Sequence, residues 1–319
     1  MAMPEVACIG ILVADVVAKP VDVLPERGRL VLASQFELHT GGCAANTGVG
    51  LARLGISTAL AGKVGKDGFG DFLLRALARE GLDMRYVVQT EEASTSGTMV
   101  MVASDGERSF IHHIGANGVL RREDISDALL RSSKVVHVAG ALLMPSLDGS
   151  PTADVLRTAK EAGAITCLDT AWDAQGRWMK AIAPALPYVD YFVPSFEEAK
   201  MLVPGLTEPE EVAKALREAG ARVVVLKMGE RGCYVQSEEE SFYAPAYRVP
   251  VADATGAGDA FAAGWIAGLV LGWDLRSTAK LANAVGACCV MAIGATAGLR
   301  SLQETLQCVG ETELLARLG

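Results

Sequence analysis

One short stretch near the C-terminus combines residues that could bind a phosphate group and accept a proton. It reads Asp-Ala-Thr-Gly-Ala-Gly-Asp-Ala-Phe over residues 253–261 and leads into an apolar run typical of a buried helix. Thr255 can cap that helix, and Gly256 and Gly258 would expose backbone N–H groups at its positive end. Asp259 follows in the first turn, where a carboxylate beside a bound phosphoryl group could accept the proton of an attacking hydroxyl.

Other nucleotide-binding motifs fit this chain less well. Taken alone, Gly-x-Gly-Asp is more often a turn before a capped helix. A dinucleotide fingerprint would need Gly or Ala where Phe261 stands and would be expected at the first strand, which weakens an NAD-dependent oxidoreductase. A Walker A loop needs Gly-Lys before Ser or Thr, but residues 62–64 read Gly-Lys-Val and residues 65–67 read Gly-Lys-Asp. A P-loop is therefore absent from the sequence.

The elements that must position this stretch alternate between strand and helix. Apolar, β-rich segments predict strands at 6–13, 57–64, 135–138, 165–168, 191–193 and 223–226. Segments of helical composition lie between them at 44–54, 69–80, 153–162, 195–202 and 209–219. Continuous apolar strands separated by helices imply an α/β fold with a mostly parallel sheet covered on both faces.

Two stretches break this rhythm, at residues 20–40 and 94–113. Polar and apolar residues alternate there around turn residues such as Asp105-Gly106, which is the pattern of half-exposed strands. The two stretches are predicted to pair as a small separate sheet. An apolar face of that sheet would need covering, which predicts a homodimer formed through it.

Composition excludes several function classes. The 319 residues are 50% hydrophobic with a net charge of −9 and no basic cluster, which disfavours nucleic-acid binding. The seven scattered cysteines are typical of reduced core residues in a cytoplasmic protein, and no zinc site is expected from them. The N-terminus is interpreted as a first strand rather than a signal peptide.

One uncharged run, residues 281–299, reaches the length of a membrane-spanning helix. It consists mostly of Ala, Gly and Cys and is interrupted by Asn283 and Thr296. Such residues gain little from lipid, so the run predicts a helix buried inside a soluble domain, with no membrane partner.

The stretch at 253–261 resembles the C-terminal signature of the ribokinase-like, or PfkB, carbohydrate kinase family. Residues 41–46, which read Gly-Gly-Cys-Ala-Ala-Asn, continue to Leu51–Gly55 and are similar to its N-terminal motif, and Gly65–Gly70 match a further Gly/Asp loop. The resemblance covers essentially the whole chain. It implies a three-layer α/β/α core with a β-sheet lid, in which the core comprises 1–19, 41–93 and 114–319, and the lid comprises 20–40 and 94–113.

The resemblance also implies roles for individual residues. Asp259 would be the catalytic base. The backbone amides that form an anion hole would be those of Gly256, Ala257 and Gly258. The residues that hold the hydroxyls of the acceptor would be Asp15, Gly41, Gly42 and Asn46. The structural alternatives are a strand-end turn for Asp15 and a buried helix hydrogen bond for Asn46.

For the nucleotide, residues 227–232 resemble the family's Gly-x-x-Gly loop. The residues implied to line the ATP site are Lys227, Gly229, Gly232, Thr255 and Asn283. Glu198 would organise Mg²⁺, although Ser195 replaces the Asn of the family's Asn-x-x-Glu motif. The alternative for this segment is an acidic helix start. A K⁺ ion is also expected near Asp253 and Thr255.

The acceptor is only partly constrained. Where fructose and ketodeoxygluconate kinases of the family often show Asn then Arg, this chain has Ala171 and Asp173, so a sugar acid would lack a cationic partner. The predicted function is transfer of the ATP γ-phosphoryl group to a hydroxymethyl group of a sugar. A nucleoside kinase and a non-catalytic nucleotide-binding sensor are the alternatives, and the intact Asp259 argues against the sensor.

Overall fold

This computed structural model describes residues 3–318, which contain thirteen strands. Residues 1, 2 and 319 of the expected core lie outside that range. The strands are β1 (Val6–Gly10), β2 (Val13–Lys19), β3 (Gln35–Gly41), β4 (Thr58–Gly65), β5 (Asp83–Thr90), β6 (Gly97–Val102), β7 (Arg108–His113), β8 (Val135–Ala141), β9 (Ile165–Thr170), β10 (Tyr191–Phe192), β11 (Val223–Lys227), β12 (Cys233–Gln236) and β13 (Ser241–Ala244). A strand lies in each of the six predicted apolar segments, whereas β5, β12 and β13 were not predicted.

The predicted helical segments are confirmed, each within a few residues of its expected ends. The helices are α1 (Cys43–Arg53), α2 (Gly68–Arg79), α3 (Asp127–Ser132), α4 (Ser150–Glu161), α5 (Met179–Ile182), α6 (Phe196–Leu202), α7 (Pro209–Glu218), α8 (Ala257–Val270), α9 (Leu275–Val290), α10 (Leu302–Cys308) and α11 (Thr312–Ala316).

The large sheet has the order β13-β12-β11-β10-β9-β8-β1-β4-β5. Strands β11 to β5 in that order run parallel, and β12 and β13 add an antiparallel edge. One face packs against α3, α4, α6 and α7, and the other against α1, α2, α8 and α9. The predicted three-layer α/β/α core is confirmed, and it is stabilised by apolar burial on both faces of the sheet.

The small sheet, called the lid sheet below, has the order β3-β2-β6-β7. It includes Val13–Lys19, a strand that the expected boundaries assigned to the core. The apolar run at 6–13 is not one strand, because the chain leaves the large sheet after Gly10 and β2 pairs elsewhere. Residues 20–34 form turns and irregular backbone instead of strand.

The uncharged run at 281–299 is helical only in its first part. Helix α9 is buried between α8 and β13 and ends at Val290, and turns follow it. Among residues 3–318, no helix is long and apolar enough to cross a bilayer. Each of the seven cysteines carries a free thiol, as expected.

Candidate active site

The candidate site lies where several element ends meet. Asp169 and Thr170 stand at the end of β9, Lys227 ends β11, and the first turns of α1 and α8 approach from the other side. Because neighbouring parallel strands end at one edge of a sheet, residues distant in sequence converge there. This edge is the usual position of ligand sites in open α/β sheets.

The start of α8 is shaped by Gly256. This residue is the helix N-cap, with a φ of 75° in the left-handed region, and a Cβ added there would lie 2.5 Å from the carbonyl oxygen of Ala295. Only glycine fits such a position without strain. The expectation that Thr255 caps the helix is wrong: its hydroxyl accepts a hydrogen bond from Arg108 of the lid sheet instead.

Asp259 is held in place by helix α1. The Nδ2 of Asn46 donates to its Oδ2 at 2.8 Å, and the Thr47 hydroxyl donates to its backbone carbonyl oxygen at 3.3 Å. Burial raises the pKa of Asp259, while the Asn46 hydrogen bond and the charge of Lys227 oppose that rise. The Oδ1 of Asn46 is buried without a hydrogen-bond partner among the described residues, so it can accept one from a ligand.

Lys227 supplies the positive charge of the site. Its Nζ lies 2.5 Å from Oδ2 of Asp169 and would lie 3.4 Å from a Cβ placed on Gly258. Burial raises the pKa of Asp169 to about 7, against the opposing charge of Lys227. For Lys227 burial acts the other way, but the neighbouring carboxylates outweigh it and raise the pKa of the ammonium group. A cation thus lies beside the amides at the start of α8, where an anion would bind.

Glu198 belongs to the same cluster. Its Oε2 accepts hydrogen bonds from the Thr170 hydroxyl at 3.0 Å and from the Ser195 backbone N–H at 3.1 Å. The Ser195 hydroxyl in turn accepts from the Glu198 N–H, which completes a capping box at the start of α6. Ser195 therefore substitutes for Asn as a helix cap and leaves the other carboxylate oxygen of Glu198 available.

A groove of about 790 Å³ runs beside the start of α8. Four of the residues predicted for the nucleotide line it, namely Lys227, Gly229, Gly232 and Asn283, together with Ala257 and Gly258 of the predicted anion hole. Thr255 lies outside this lining. The Nδ2 of Asn283 donates to the carbonyl oxygens of Ala244 and Pro245, so this side chain fixes the segment after β13.

The predicted acceptor residues meet where the lid sheet joins the core. Asp15 lies on β2 beside Gly41 at the end of β3, and a Cβ on Gly41 would lie 2.0 Å from Oδ2 of Asp15. Gly42 follows as the N-cap of α1, one turn before Asn46. Burial raises the pKa of Asp15. The close approach explains why glycine is required at position 41.

A polar row continues from Asp15 across the lid sheet. The cross-strand register pairs Asp15 with His39 and with Thr98, and pairs Thr98 with His112. The Thr98 hydroxyl lies 3.1 Å from Nδ1 of His112. Burial and the neighbouring His113 lower the pKa of His112, which favours its neutral form. These side chains offer both donors and acceptors to a hydroxylated molecule.

Sequence reasoning missed four residues of the site. Asp169 pairs with Lys227, Thr98 extends the polar row, and Arg108 contacts the loop before α8. The thiol of Cys43 lies beside Asp259, and burial together with that carboxylate raises its pKa well above the ordinary value. Only Asp169 carried a sequence signal, as an acid ending an apolar strand.

The fold is a three-layer α/β/α architecture with a charged cleft at the start of α8, and its sequence contains no Walker loop. The family model described as pfkB family carbohydrate kinase matches residues 3–302. The chain belongs to this family, whose members transfer phosphate to an alcohol group, and the family resemblance of its two glycine motifs is confirmed.

Named relatives agree with this assignment. An uncharacterized sugar kinase of Archaeoglobus fulgidus is 30% identical over 252 residues, covering 79% of this chain and 98% of the relative. The 2-dehydro-3-deoxygluconokinase of Bacillus subtilis is 28% identical over 286 residues, covering 86% of this chain and 87% of the relative. A solved structure from E. coli, in complex with ATP and Mg²⁺, is 26% identical with a TM-score of 0.84 and covers 97% of this chain and 100% of that one.

Proposed function

We propose that the protein transfers the γ-phosphoryl group of ATP to a hydroxymethyl group of a neutral sugar. The observation that carries the proposal is the position of Asp259. Its carboxylate lies in the first turn of α8, fixed at 2.8 Å by Asn46, with the cation of Lys227 and the helix-start amides beside it. A base, an anion site and a positive charge therefore converge at one point, as phosphoryl transfer requires.

Each residue then has a definite task. Asp259 accepts the proton of the acceptor hydroxyl as the oxygen attacks phosphorus. The amides of Gly256 and Gly258 face the transferring phosphoryl group, and Lys227 balances its charge. The Ala257 N–H, which was expected to join them, donates instead to the carbonyl oxygen of Ala254 at 3.2 Å. Asn46 orients Asp259 through one amide atom and keeps Oδ1 for the acceptor.

A divalent cation fits this site through few protein ligands. No group of three or more His, Cys, Asp or Glu side chains in residues 3–318 is positioned to hold a metal by itself. Mg²⁺ commonly uses one or two carboxylates together with water and substrate phosphates, and Glu198, supported by Thr170, matches that need. When bound, the ion would neutralise phosphate charge.

The charges near the acceptor favour a neutral sugar over a sugar acid. Arg177, four residues after Asp173, already pairs with Asp148 at 3.0 Å and with Asp173 at 3.4 Å. Asp15 itself would repel a carboxylate, while it can accept hydrogen bonds from neighbouring hydroxyls. The sugar acid named in the Bacillus subtilis relative is therefore expected to be a poor acceptor here.

The test is a panel of acceptors incubated with purified protein, ATP and Mg²⁺. ADP release and the mass of the product are measured for ribose, fructose, 2-dehydro-3-deoxygluconate and adenosine, with Asp259→Asn as the inactive control. We expect phosphorylation of a neutral sugar. Turnover of adenosine alone would identify a nucleoside kinase, and turnover of the sugar acid alone would contradict the charge argument. ATP binding without turnover of any alcohol would favour a sensor.

We also propose that the lid sheet mediates a homodimer. On the face opposite Asp15, Leu38, Val16, Met99 and Ile111 form one row across all four strands of the lid sheet, and Leu38, Met99 and Ile111 are exposed. A continuous apolar row of this kind favours association with a second copy. Sedimentation equilibrium should show a dimer, and Ile111→Asp should give a monomer. A monomeric wild-type protein would contradict this.

A further inference from the structure

Arg108 connects the lid sheet to the loop that precedes α8. It is the first residue of β7, and its Nη2 lies 2.6 Å from Oδ2 of Asp253, while its Nη1 donates to the Thr255 hydroxyl. The two partners of this bidentate contact lie immediately before the Gly256 N-cap. The guanidinium group therefore contacts two side chains of the loop that leads into the anion-binding amides.

The carboxylate that receives Arg108 is buried. The side chain of Asp253 is 4% exposed and that of Arg108 is 23% exposed. Asp253 also accepts the backbone N–H of Thr255 at 2.9 Å and that of Gly294 at 2.7 Å. Burial acts to raise the pKa of Asp253, but the hydrogen bonds from Arg108 and from these amides outweigh it and lower the pKa to about 2. Asp253 is thus a buried carboxyl group whose hydrogen bonds favour the ionised form, and within residues 3–318 its cationic partner is Arg108.

The register of β7 places Arg108 on the inner face of the lid sheet. Residues 108, 110 and 112 share a face, and His112 belongs to the row that contains Asp15. The lid sheet therefore meets the core at two places, Asp15 beside Gly41 near α1 and Arg108 beside Asp253 near α8. These contacts lie on the two sides of Asp259, where the acceptor and the phosphoryl group must meet.

We propose that Arg108 is a positioning residue that fastens the lid sheet over the acceptor and holds the loop before α8 at the same time. The proposal rests on the function proposed above. When the ion pair forms, the lid sheet closes and the anion-binding amides take their correct direction at the same time. Phosphoryl transfer is therefore favoured only when the acceptor is enclosed by the lid sheet. Arg108 also supplies at Asp253 the positive charge that the resemblance assigned to K⁺, so wild-type activity is expected to be independent of K⁺.

The nucleotide groove gives the proposal a specific kinetic signature. The residues that line the groove include none from the lid sheet. Loss of Arg108 should therefore raise the KM for the sugar and lower kcat/KM for it, roughly 10- to 100-fold for a buried charge left without its partner. The KM for ATP should rise much less, by no more than about threefold, because the loop that Arg108 holds borders the groove through Ala254 while Lys227 and the Gly-x-x-Gly loop stay in place. A simple loss of stability would not separate the two substrates in this way.

The experiment compares Arg108→Ala, Arg108→Lys and the matched control Arg85→Ala. Arg85 makes an ion pair of the same 2.6 Å length with Asp83, but on an exposed part of β5 away from the site. Steady-state constants for sugar and ATP are measured with and without millimolar guanidinium chloride or KCl at constant ionic strength. Hydrogen exchange of the β6 and β7 amides is followed in parallel.

The expected result is a selective rise in the sugar KM for Arg108→Ala, with exchange of the β7 amides faster by about tenfold or more. Free guanidinium or K⁺ should restore part of the activity, because either cation can neutralise Asp253. The sugar KM of Arg108→Lys should lie between those of the wild type and Arg108→Ala, since an ammonium group cannot contact both Asp253 and Thr255 in the same way. Arg85→Ala should behave as wild type.

Three results would overturn the proposal: an unchanged sugar KM and unchanged β7 exchange in Arg108→Ala, equal effects on both substrates, or faster exchange throughout the large sheet. Failure of the proposed function looks different. In that case the wild-type protein phosphorylates no sugar of the panel, and the exchange of β6 and β7 in Arg108→Ala still decides whether Arg108 fastens the lid sheet.

Discussion

Replacement of Asp259 by Asn is the sharpest test of the catalytic assignment. The new amide keeps the shape of the carboxylate, and its oxygen can still accept the 2.8 Å hydrogen bond from Asn46, so the first turn of α8 should stay intact. What is lost is the ability to accept a proton. A well-placed general base contributes roughly 10²–10⁴-fold, which corresponds to about 2.7 to 5.4 kcal/mol in the activation barrier.

The residues around Asp259 indicate that the loss of kcat in the Asn variant should lie in the upper part of that range. The neighbouring carboxylate of Asp169 is paired with Lys227 at 2.5 Å, and Glu198 is held by a capping box. The Cys43 thiol is neutral because burial raises its pKa. None of these groups is free to replace the base, so kcat should fall by about 10³–10⁴-fold.

The assay is steady-state ADP release with the best acceptor of the panel, at saturating and varied ATP. The KM for ATP should change little, because the helix-start amides and Lys227 remain. The matched control is Asp71→Asn, which makes the same change in the first turn of α2 at an exposed position and should leave kcat unchanged. A near-normal kcat in the Asp259→Asn protein would refute the role of Asp259 as the base.

Three further substitutions test the surroundings of the base. Asn46→Ala removes a hydrogen bond that lowers the pKa of Asp259, so the pKa of the base should rise. Because the base acts when ionised, acidification should abolish activity at a higher pH than in the wild type, and an unshifted pH–kcat profile would contradict this. Lys227→Met should raise the KM for ATP roughly tenfold or more, and an unchanged KM would exclude phosphate contact. Gly256→Ala should lower stability by about 1–3 kcal/mol in thermal melts, and more than Gly272→Ala, which has a similar φ of 72° but open space around it; equal losses would rule out the contact.

Local patterns predicted the elements of the core well. The strands at 58–65, 135–141 and 223–227 are apolar on both faces, and that composition identifies a buried parallel sheet whatever its strand order. Residues 13–19 were assigned to the core because five of these seven residues are apolar, and that composition does not distinguish a lid strand that packs on the core from a core strand. The amino-acid composition of a strand indicates whether the strand is buried, but not which sheet it joins.

The residues of the site also differ in how well the sequence predicts them. Gly256 and Asp259 were predictable because helix-start chemistry is local and leaves a pattern within a few residues. The contacts that complete the site join residues far apart: 213 positions separate Asn46 from Asp259, 58 separate Asp169 from Lys227, and 147 separate Arg108 from Thr255. Such pairs depend on which strand ends are neighbours in the sheet, and residue spacing contains no information about that order.

The charge balance of the assembled site explains why its residues must be considered together. Three acidic side chains, Asp169, Glu198 and Asp259, lie near the cation of Lys227, so this group of four side chains contains more acids than bases before a nucleotide arrives. ATP is itself an anion, and the helix-start amides supply only partial positive charge. In their ionised form, the carboxylates proposed here as base and metal support would repel the nucleotide. Binding of ATP together with a divalent cation removes that repulsion, which is why an acidic pocket is consistent with a kinase.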